Sequence, residues 1–483
     1  MNMSTFPKES LPIIHKAEPS FFRVILQWFT LLMLLVVIVP LMLLTLPPLA
    51  IFSGLIILIS AFMMHRLVGL FNLKRLTIPS FFYAIYFTII LIPAFFLYGD
   101  EYTPSRGRFL FGVESVLLTI PLGIWLANRY FHFRKQETAD YFRRPVVLET
   151  LDASKVRSFV LFLTIALIFV VINVIETPVI PLIFLIRNPG EALTAALLRE
   201  DSFKLLNSHL TYIYSVVRAS VFPFLAMVSL GRYLQQKQQI WRSLCWISLI
   251  SGVLYASLTI EKAPVAAIFG LIFVFYYLFK CGELGVTVTT TAVILFLAFP
   301  VTVVLLAYQG SDAGLTIWGA IQAVMVRLVY TPAEVLYAYF QMFPALIPYQ
   351  HGAGIAKLAY FMGWKTIDIP NAVGIYMTPG AIDTVHANGC FTGNLNADFG
   401  LPGVVVGGVI AGYLMQAISI YLFRRPKTIA SLAAYAICML SFGELSISPL
   451  PTALLSGGVT FALLLRWYFE SRERRSRTND SQP

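Results

Sequence analysis

Charge is scarce in this chain. Only 12% of its 483 residues are Asp, Glu, Lys or Arg, 58% are hydrophobic, and the mean hydropathy is +0.78. Soluble domains carry about 25% charged residues, so a water-facing surface of ordinary size is excluded. Cysteine is scarce too. Of four, Cys245, Cys281 and Cys438 lie in or beside apolar runs, and Cys390 falls in a polar stretch, which excludes a disulfide framework. No Cys/His spacing has the form of a zinc site, so no metal is expected. No glycine-rich phosphate loop occurs, which excludes an ATP-driven machine contained in this chain, and no cofactor is expected.

What is abundant is long apolar sequence. Twelve runs reach the roughly 20 helical residues that cross a bilayer. They lie at about 22–42, 47–64, 80–98, 109–127, 158–176, 209–231, 243–259, 264–280, 286–307, 401–423, 429–446 and 450–468. The expected fold is therefore an all-α, polytopic membrane protein, one domain over 1–483. The first run lacks a small-residue cleavage site and reads as a retained helix. Twelve spans put both termini on one side. With that side inside, the inner segments hold 25 of the 35 basic residues, and shifting the register by one span reverses the bias. The net charge of +11 is thus a topology signal, with no call for nucleic acid, although the basic tail "SRERRSR" can touch anionic lipid.

Two outer loops are long, 177–208 and 308–400. Each contains a helix-start pattern. In "NPGEALTAALLRE", Asn188 is the cap, Pro189 the first helical residue and Glu191 the returning carboxylate; in "TPAEVLYAYF" the same roles fall to Thr331, Pro332 and Glu334. The preceding "LTIWGAIQAVMVRLVY" is expected to be an interfacial or re-entrant helix. Just before the span at 401–423 comes a polar ribbon, "HANGCFTGNLNADFG", unusual in so apolar a chain.

Five outer basic residues stand where a lone charge needs a reason: Arg199 in "LLREDSF", Arg218 inside "YIYSVVRASVFPFLAM", Lys262 in "LTIEKAPVAAIF", Arg327 in "AVMVRLVY", and His386 opening the ribbon. An ionisable group at membrane depth faces a cavity or a partner. Each also has a plainer reading. Lys262 and Glu261 can form a solvated turn, Arg218 can snorkel or pair with a structural acid, and Arg199 can pair with Glu200 or Asp201. Several cations facing one cavity suit an anionic ligand, since Arg forks hold phosphate oxygens bidentately.

The order of "LLREDSF", "LTIEKAP", "VRLVYTPAEVLYAYFQMFP" and "HANGCFTGNLNADFGLPGVVVGGVIAGYL" resembles the bacterial oligosaccharide repeat-unit polymerases, the O-antigen polymerase or Wzy-type family, over roughly 180–425. The resemblance implies a glycosyltransferase in the bacterial inner membrane, with a fold similar to that of polytopic enzymes using lipid-linked donors. Its substrate would be a polyprenyl-diphosphate-linked oligosaccharide, joined into a surface polysaccharide at the periplasmic face without a metal. A chain-length-regulating co-polymerase is an implied partner, besides membrane lipid. On that reading Arg327, then Lys262 and Arg199, would stabilise the leaving diphosphate, with Arg218 as a further binding cation. Asp398, His386 and Glu261 would be candidate proton acceptors. Asn388, Asn394 and Asn396 would bind sugar hydroxyls, and Tyr330, Trp364 and Tyr376 could stack on sugar rings. A flippase or exporter of lipid-linked glycan, and a ligase moving glycan to another acceptor, are the alternatives.

Overall fold

A computed structural model of the chain describes residues 47–69, 75–97, 103–148, 153–177, 179–188, 194, 198, 208–260, 262–281, 301, 316–355, 359, 362–379 and 386–479. Every regular element among them is helical. The helices are α1 (Pro47–Val68), α2 (Ile78–Tyr86), α3 (Ile92–Phe96), α4 (Pro104–Tyr130), α5 (Lys135–Arg143), α6 (Ala153–Glu176), α7 (Pro181–Arg187), α8 (Ser208–Val216), α9 (Phe222–Gln236), α10 (Gln239–Ser257), α11 (Lys262–Cys281), α12 (Ile317–Met325), α13 (Thr331–Met342), α14 (Ile369–Met377), α15 (Phe391–Phe423), α16 (Ile429–Gly443), α17 (Leu450–Leu454) and α18 (Val459–Asn479). π-Helical turns at Phe87–Leu91, Val217–Val221 and Val326–Tyr330 join α2 to α3, α8 to α9 and α12 to α13. The chain divides into two units, Met1–Leu58 and Ile59–Pro483, and of the first only the opening turns of α1 are described.

Nine helical stretches among the described residues are long and apolar enough to cross a membrane, and they coincide with nine of the twelve expected spans. The chain is a multi-pass membrane protein by this measure. The expected span at 47–64 lies within α1, Pro47–Val68. The spans expected at 22–42 and, Val301 apart, at 286–307 lie outside the described residues.

Burial does not follow hydropathy. Val156–Glu176 has a mean hydropathy of 2.9 with 22% of its window buried, whereas Ile429–Ser446 has 1.5 with 89% buried. Lipid is as apolar as leucine, so greasy side chains gain nothing by facing protein; small residues do, because they let backbones approach. The sequence "IASLAAYAICMLSFG" of α16 has that composition, and α2, α9, α11 and α18 pack around it.

The same rule sets the α4–α15 seam, where the two helices run parallel. Gly408 lies against Thr119, Gly412 against the Ile120 carbonyl, and Gly123 against the Val409 carbonyl and Tyr413 nitrogen. A methyl group at Gly123 or Gly412 would strike main chain, which cannot swing aside. Gln416 donates to Asn128 lower on the same seam, at 2.7 Å.

Basic side chains close the adjoining end of the bundle. Arg424 reaches Glu137 at 2.9 Å and donates to the Phe131 carbonyl at 2.9 Å. Lys427 donates to the carbonyls of Phe142 and Arg144, both at 3.2 Å. Arg466 forks onto Glu470 at 3.0 and 2.9 Å, and Thr428 donates to the same carboxylate at 2.7 Å. Partial burial raises the Glu137 pKa, but hydrogen bonds from Arg424 and the Arg134 N–H outweigh it and leave the carboxyl below its ordinary value.

Candidate functional site

Proline makes the three π-turns. Pro93, Pro223 and Pro332 each lie two residues beyond the end of one. Proline has no N–H to give the carbonyl four residues back, and its ring crowds that carbonyl. Here the carbonyl belongs to Ile89, Ala219 or Leu328, each inside its turn. The helix absorbs the conflict by widening. The N–H just before each proline reaches five residues back: Ile92 to Phe87, Phe222 to Val217 and Thr331 to Val326. Such π-bulges are frequent at functional sites. Two of the three carry an arginine at the second position, in "VRASVFP" and "VRLVYTP".

This corrects one sequence expectation. Thr331 was expected to cap a new helix, but its φ of −55° and ψ of −39° are helical, and the chain runs through from Ile317 to Met342. The capping pattern of Thr, Pro and Glu is real locally. The apolar face of α13, packed on α4, keeps the helix continuous. Phe109 meets Phe340 edge-on at 5.7 Å, Arg108 donates to the Phe340 carbonyl at 3.4 Å, and Gly112 leaves room for the Phe340 ring.

Arg327 is exposed and has no hydrogen-bond or ion-pair partner among the described residues. It lines an open groove of about 510 Å³ with Gly319, Gln322, Ala323, Val326 and Thr331. Ile317 and Trp318, at the start of α12, are 65% and 71% exposed. None of His386, Asp398, Asn388, Asn394 or Asn396 is in that lining. Tyr330, half-buried, closes the turn.

The polar ribbon was expected as an outer loop. From Phe391 onward it is helix, the first arm of α15, and it folds sharply against the second arm at Gly400. Gly400 has φ 67° and ψ −163°, a backbone that favours glycine, and side-chain atoms of Leu395 reach Gly407 across the fold. The arm is helical because it has a wall to bury against. Gly393 packs on Leu336 and Tyr339 of α13, Ala397 joins the same cluster, and Phe391 meets Phe82 edge-on at 6.1 Å. The expected span beginning at 401 is the second arm.

Tyr339 ties the approach to this arm. Burial raises its pKa above the ordinary phenol value, so the hydroxyl stays protonated. It donates to the Ala387 carbonyl at 3.0 Å and accepts from the Gly389 N–H at 3.3 Å. Asp398, 1% exposed, accepts from the N–H groups of Gly352 at 3.2 Å and Gly354 at 3.0 Å, while its own carbonyl takes the His351 N–H at 2.7 Å. It staples a loop and does not open to solvent. Asn396 is fully buried, and both polar atoms of its side chain lack partners among the described residues; Asn394 is half-buried. The exposed polar residues of the ribbon are His386 and Asn388, with His386 3.6 Å from the exposed Asp368, whose other oxygen caps α14 through the Asn371 N–H. Trp364 and Tyr376 are also exposed, at 42% and 38%.

Arg327 and the Tyr339 anchor therefore share one continuous helix. Twelve residues of rise separate them by about 18 Å along its axis.

Arg218 has a different environment. It is half-buried, donates to the Tyr214 hydroxyl at 3.5 Å, and stacks over the Tyr214 ring at 4.9 Å. Tyr214 contacts Thr259 at 3.3 Å and the Tyr255 ring at 4.7 Å. Glu444, in the short turn after α16, lies within the field of Arg218. Sequence reading passed over Glu444 because it falls at the end of an expected span; its signal is a lone carboxylate at membrane depth. Arg199 and Glu261 lie outside the described residues. Lys262 begins α11, but its side chain is not among those described, and Asn188 closes α7 by donating to the Phe184 carbonyl.

No family model, characterised protein or solved structure matches the chain.

Proposed function

We propose that the chain joins polyprenyl-diphosphate-linked oligosaccharide units into a polymer at the outer face of a bacterial inner membrane. The observation that carries this reading is Arg327: an exposed guanidinium without a described partner, in an open groove, on the helix whose far half holds the polar ribbon. A lipid-linked glycan has the matching shape. Its diphosphate meets the guanidinium, its tail lies toward the exposed Ile317 and Trp318, and sugars extend over the roughly 18 Å to the ribbon.

In the reaction, an acceptor hydroxyl of one unit attacks the anomeric carbon of another. The bond from that carbon to the diphosphate breaks, and the lipid diphosphate leaves with the electron pair. Arg327 stabilises the charge that develops there, an effect worth about 10²–10³ in rate for one well-placed donor. Lys262 and Arg199 are the companion cations of this proposal. Glu261 takes the acceptor's proton in this proposal, whereas His386, held by Asp368 at the ribbon, lies too far from the breaking bond and binds sugar hydroxyls. Asn388 holds sugar hydroxyls, and Asn394, whose amide nitrogen is buried, acts through the packing of the arm. Asp398 acts through the loop it staples, Asn396 through the packing of the arm, and Arg218 through the helix it braces.

The test is Arg327→Ala in a polymer-producing cell. High-molecular-weight glycan should disappear while single units persist and the protein accumulates normally. Wild-type polymer in that variant would sink the assignment. Loss of single units from the outer face would favour an exporter, and loss only of transfer to another acceptor would favour a ligase.

A further inference from the structure

We infer that Pro332 is a positioning residue for Arg327, and that Val-Arg-x-x-x-x-Pro is a local device that presents an arginine by forcing a π-turn. The role of the presented arginine rests on the proposed function; the geometry does not. The device occurs twice with arginine, at Val217–Pro223 and Val326–Pro332, and once with threonine in its place, at Phe87–Pro93. In all three the N–H before the proline bonds five residues back, so the turn does not need the charge; Pro121 sits in unbroken α-helix within α4, so a proline alone does not suffice and the local packing decides. Thr88 in the third copy turns its hydroxyl back on the Ala84 carbonyl, at 2.9 Å.

The consequence for Arg327 follows from helical phase. In a regular α-helix, residues seven apart lie nearly in line, so Arg327 would stand over Glu334, the carboxylate in the first turn of α13. The π-turn takes in one extra residue, which rotates everything before it by about 100°. Arg327 is thereby moved off the Glu334 face and into the groove with Gln322 and Thr331. Thr331 reinforces the turn, since its hydroxyl and its N–H both go to the Val326 carbonyl. Pro332 thus keeps the cation away from the nearest acid on its own helix, where the pair would neutralise the charge offered to a ligand.

The experiment measures phase directly. Spin labels are placed at Arg327→Cys and Glu334→Cys in a cysteine-free version of the full chain, and their separation is read with and without Pro332→Ala. The expected result is a shorter separation in the alanine variant, and a return to the starting value when Leu328 is also deleted, which removes the extra residue. In unlabelled protein with the native arginine, polymer yield should fall severalfold in Pro332→Ala and recover in the double variant. An unchanged separation overturns the inference. So does a shortened separation with full polymer yield in Pro332→Ala when Arg327→Ala abolishes polymer. A shortened separation with neither variant affecting polymer leaves the geometric device standing and removes the proposed role of Arg327. If Pro332→Ala does not accumulate, the double variant decides: accumulation with wild-type spacing and yield supports the inference, and failure to accumulate overturns it.

Discussion

The turns at Val217–Val221 and Val326–Tyr330 have the same backbone, the same Val-Arg opening and the same downstream proline, yet their arginines live differently. Arg218 is half-buried, stacked on Tyr214 and set in the field of Glu444. Arg327 is exposed and opens to a groove. Local sequence makes the turn; what packs around it decides whether the charge braces the protein or remains available. Only the second arrangement leaves a guanidinium fork with capacity for phosphate oxygens.

Three substitutions sharpen that contrast, in descending order of effect. On the proposed function, Arg327→Ala should lower the polymerisation rate by about 10²–10³ without altering thermal stability, and Arg327→Lys should fall between, since it keeps the charge and loses the fork. Rate assays and melting curves on purified protein check both. Arg218→Ala should do the reverse. It removes the guanidinium stacked on the Tyr214 ring and should cost about 1–2 kcal/mol of stability. Equal melting temperatures for the single variant and the wild type would put Arg218 in the same class as Arg327.

The smallest effect lies at the basic end. The Glu137 carboxyl sits below its ordinary pKa when folded, so its contribution is complete above the unfolded value and is lost as pH falls through the folded one. Both partners are partly exposed, so Arg424→Gln should cost about 0.5 kcal/mol at neutral pH and nothing in acid. Melting curves across that pH range measure it, and a pH-independent difference would show that the bonds from Arg424 to the carbonyls of Phe131 and His132 matter more than the ion pair.

Sequence legibility followed physical range. The spans could be read because bilayer thickness imposes length and hydropathy on each run separately. Arg327 could be singled out because a charge amid apolar residues is a local anomaly. The π-turn that carries it was misread as a helix start: Thr331, Pro332 and Glu334 satisfy a capping pattern, and only the packing of α13 on α4 keeps the helix going. The repeated spacing of Pro93, Pro223 and Pro332 after apolar helix was the available signal. The ribbon was misread for the same reason. His386 and Asn388 remain accessible, but from Phe391 the chain is helical because Leu336 and Tyr339, some fifty residues earlier, offer a surface to bury against. The seam glycines Gly408 and Gly412 stand four residues apart, a signal that was passed over, and their partner helix lies nearly three hundred residues earlier in the chain.

The central claim is that Arg327 serves chemistry on a lipid-linked glycan. The most direct measurement is a cell-free reaction with purified full-length protein and a polyprenyl-diphosphate-linked repeat unit, read as a ladder of product lengths. The account predicts a ladder with the wild type, none with Arg327→Ala, and a near-normal ladder with a folded Arg218→Ala protein. No ladder with the wild type, or the same ladder with Arg327→Ala, would contradict it.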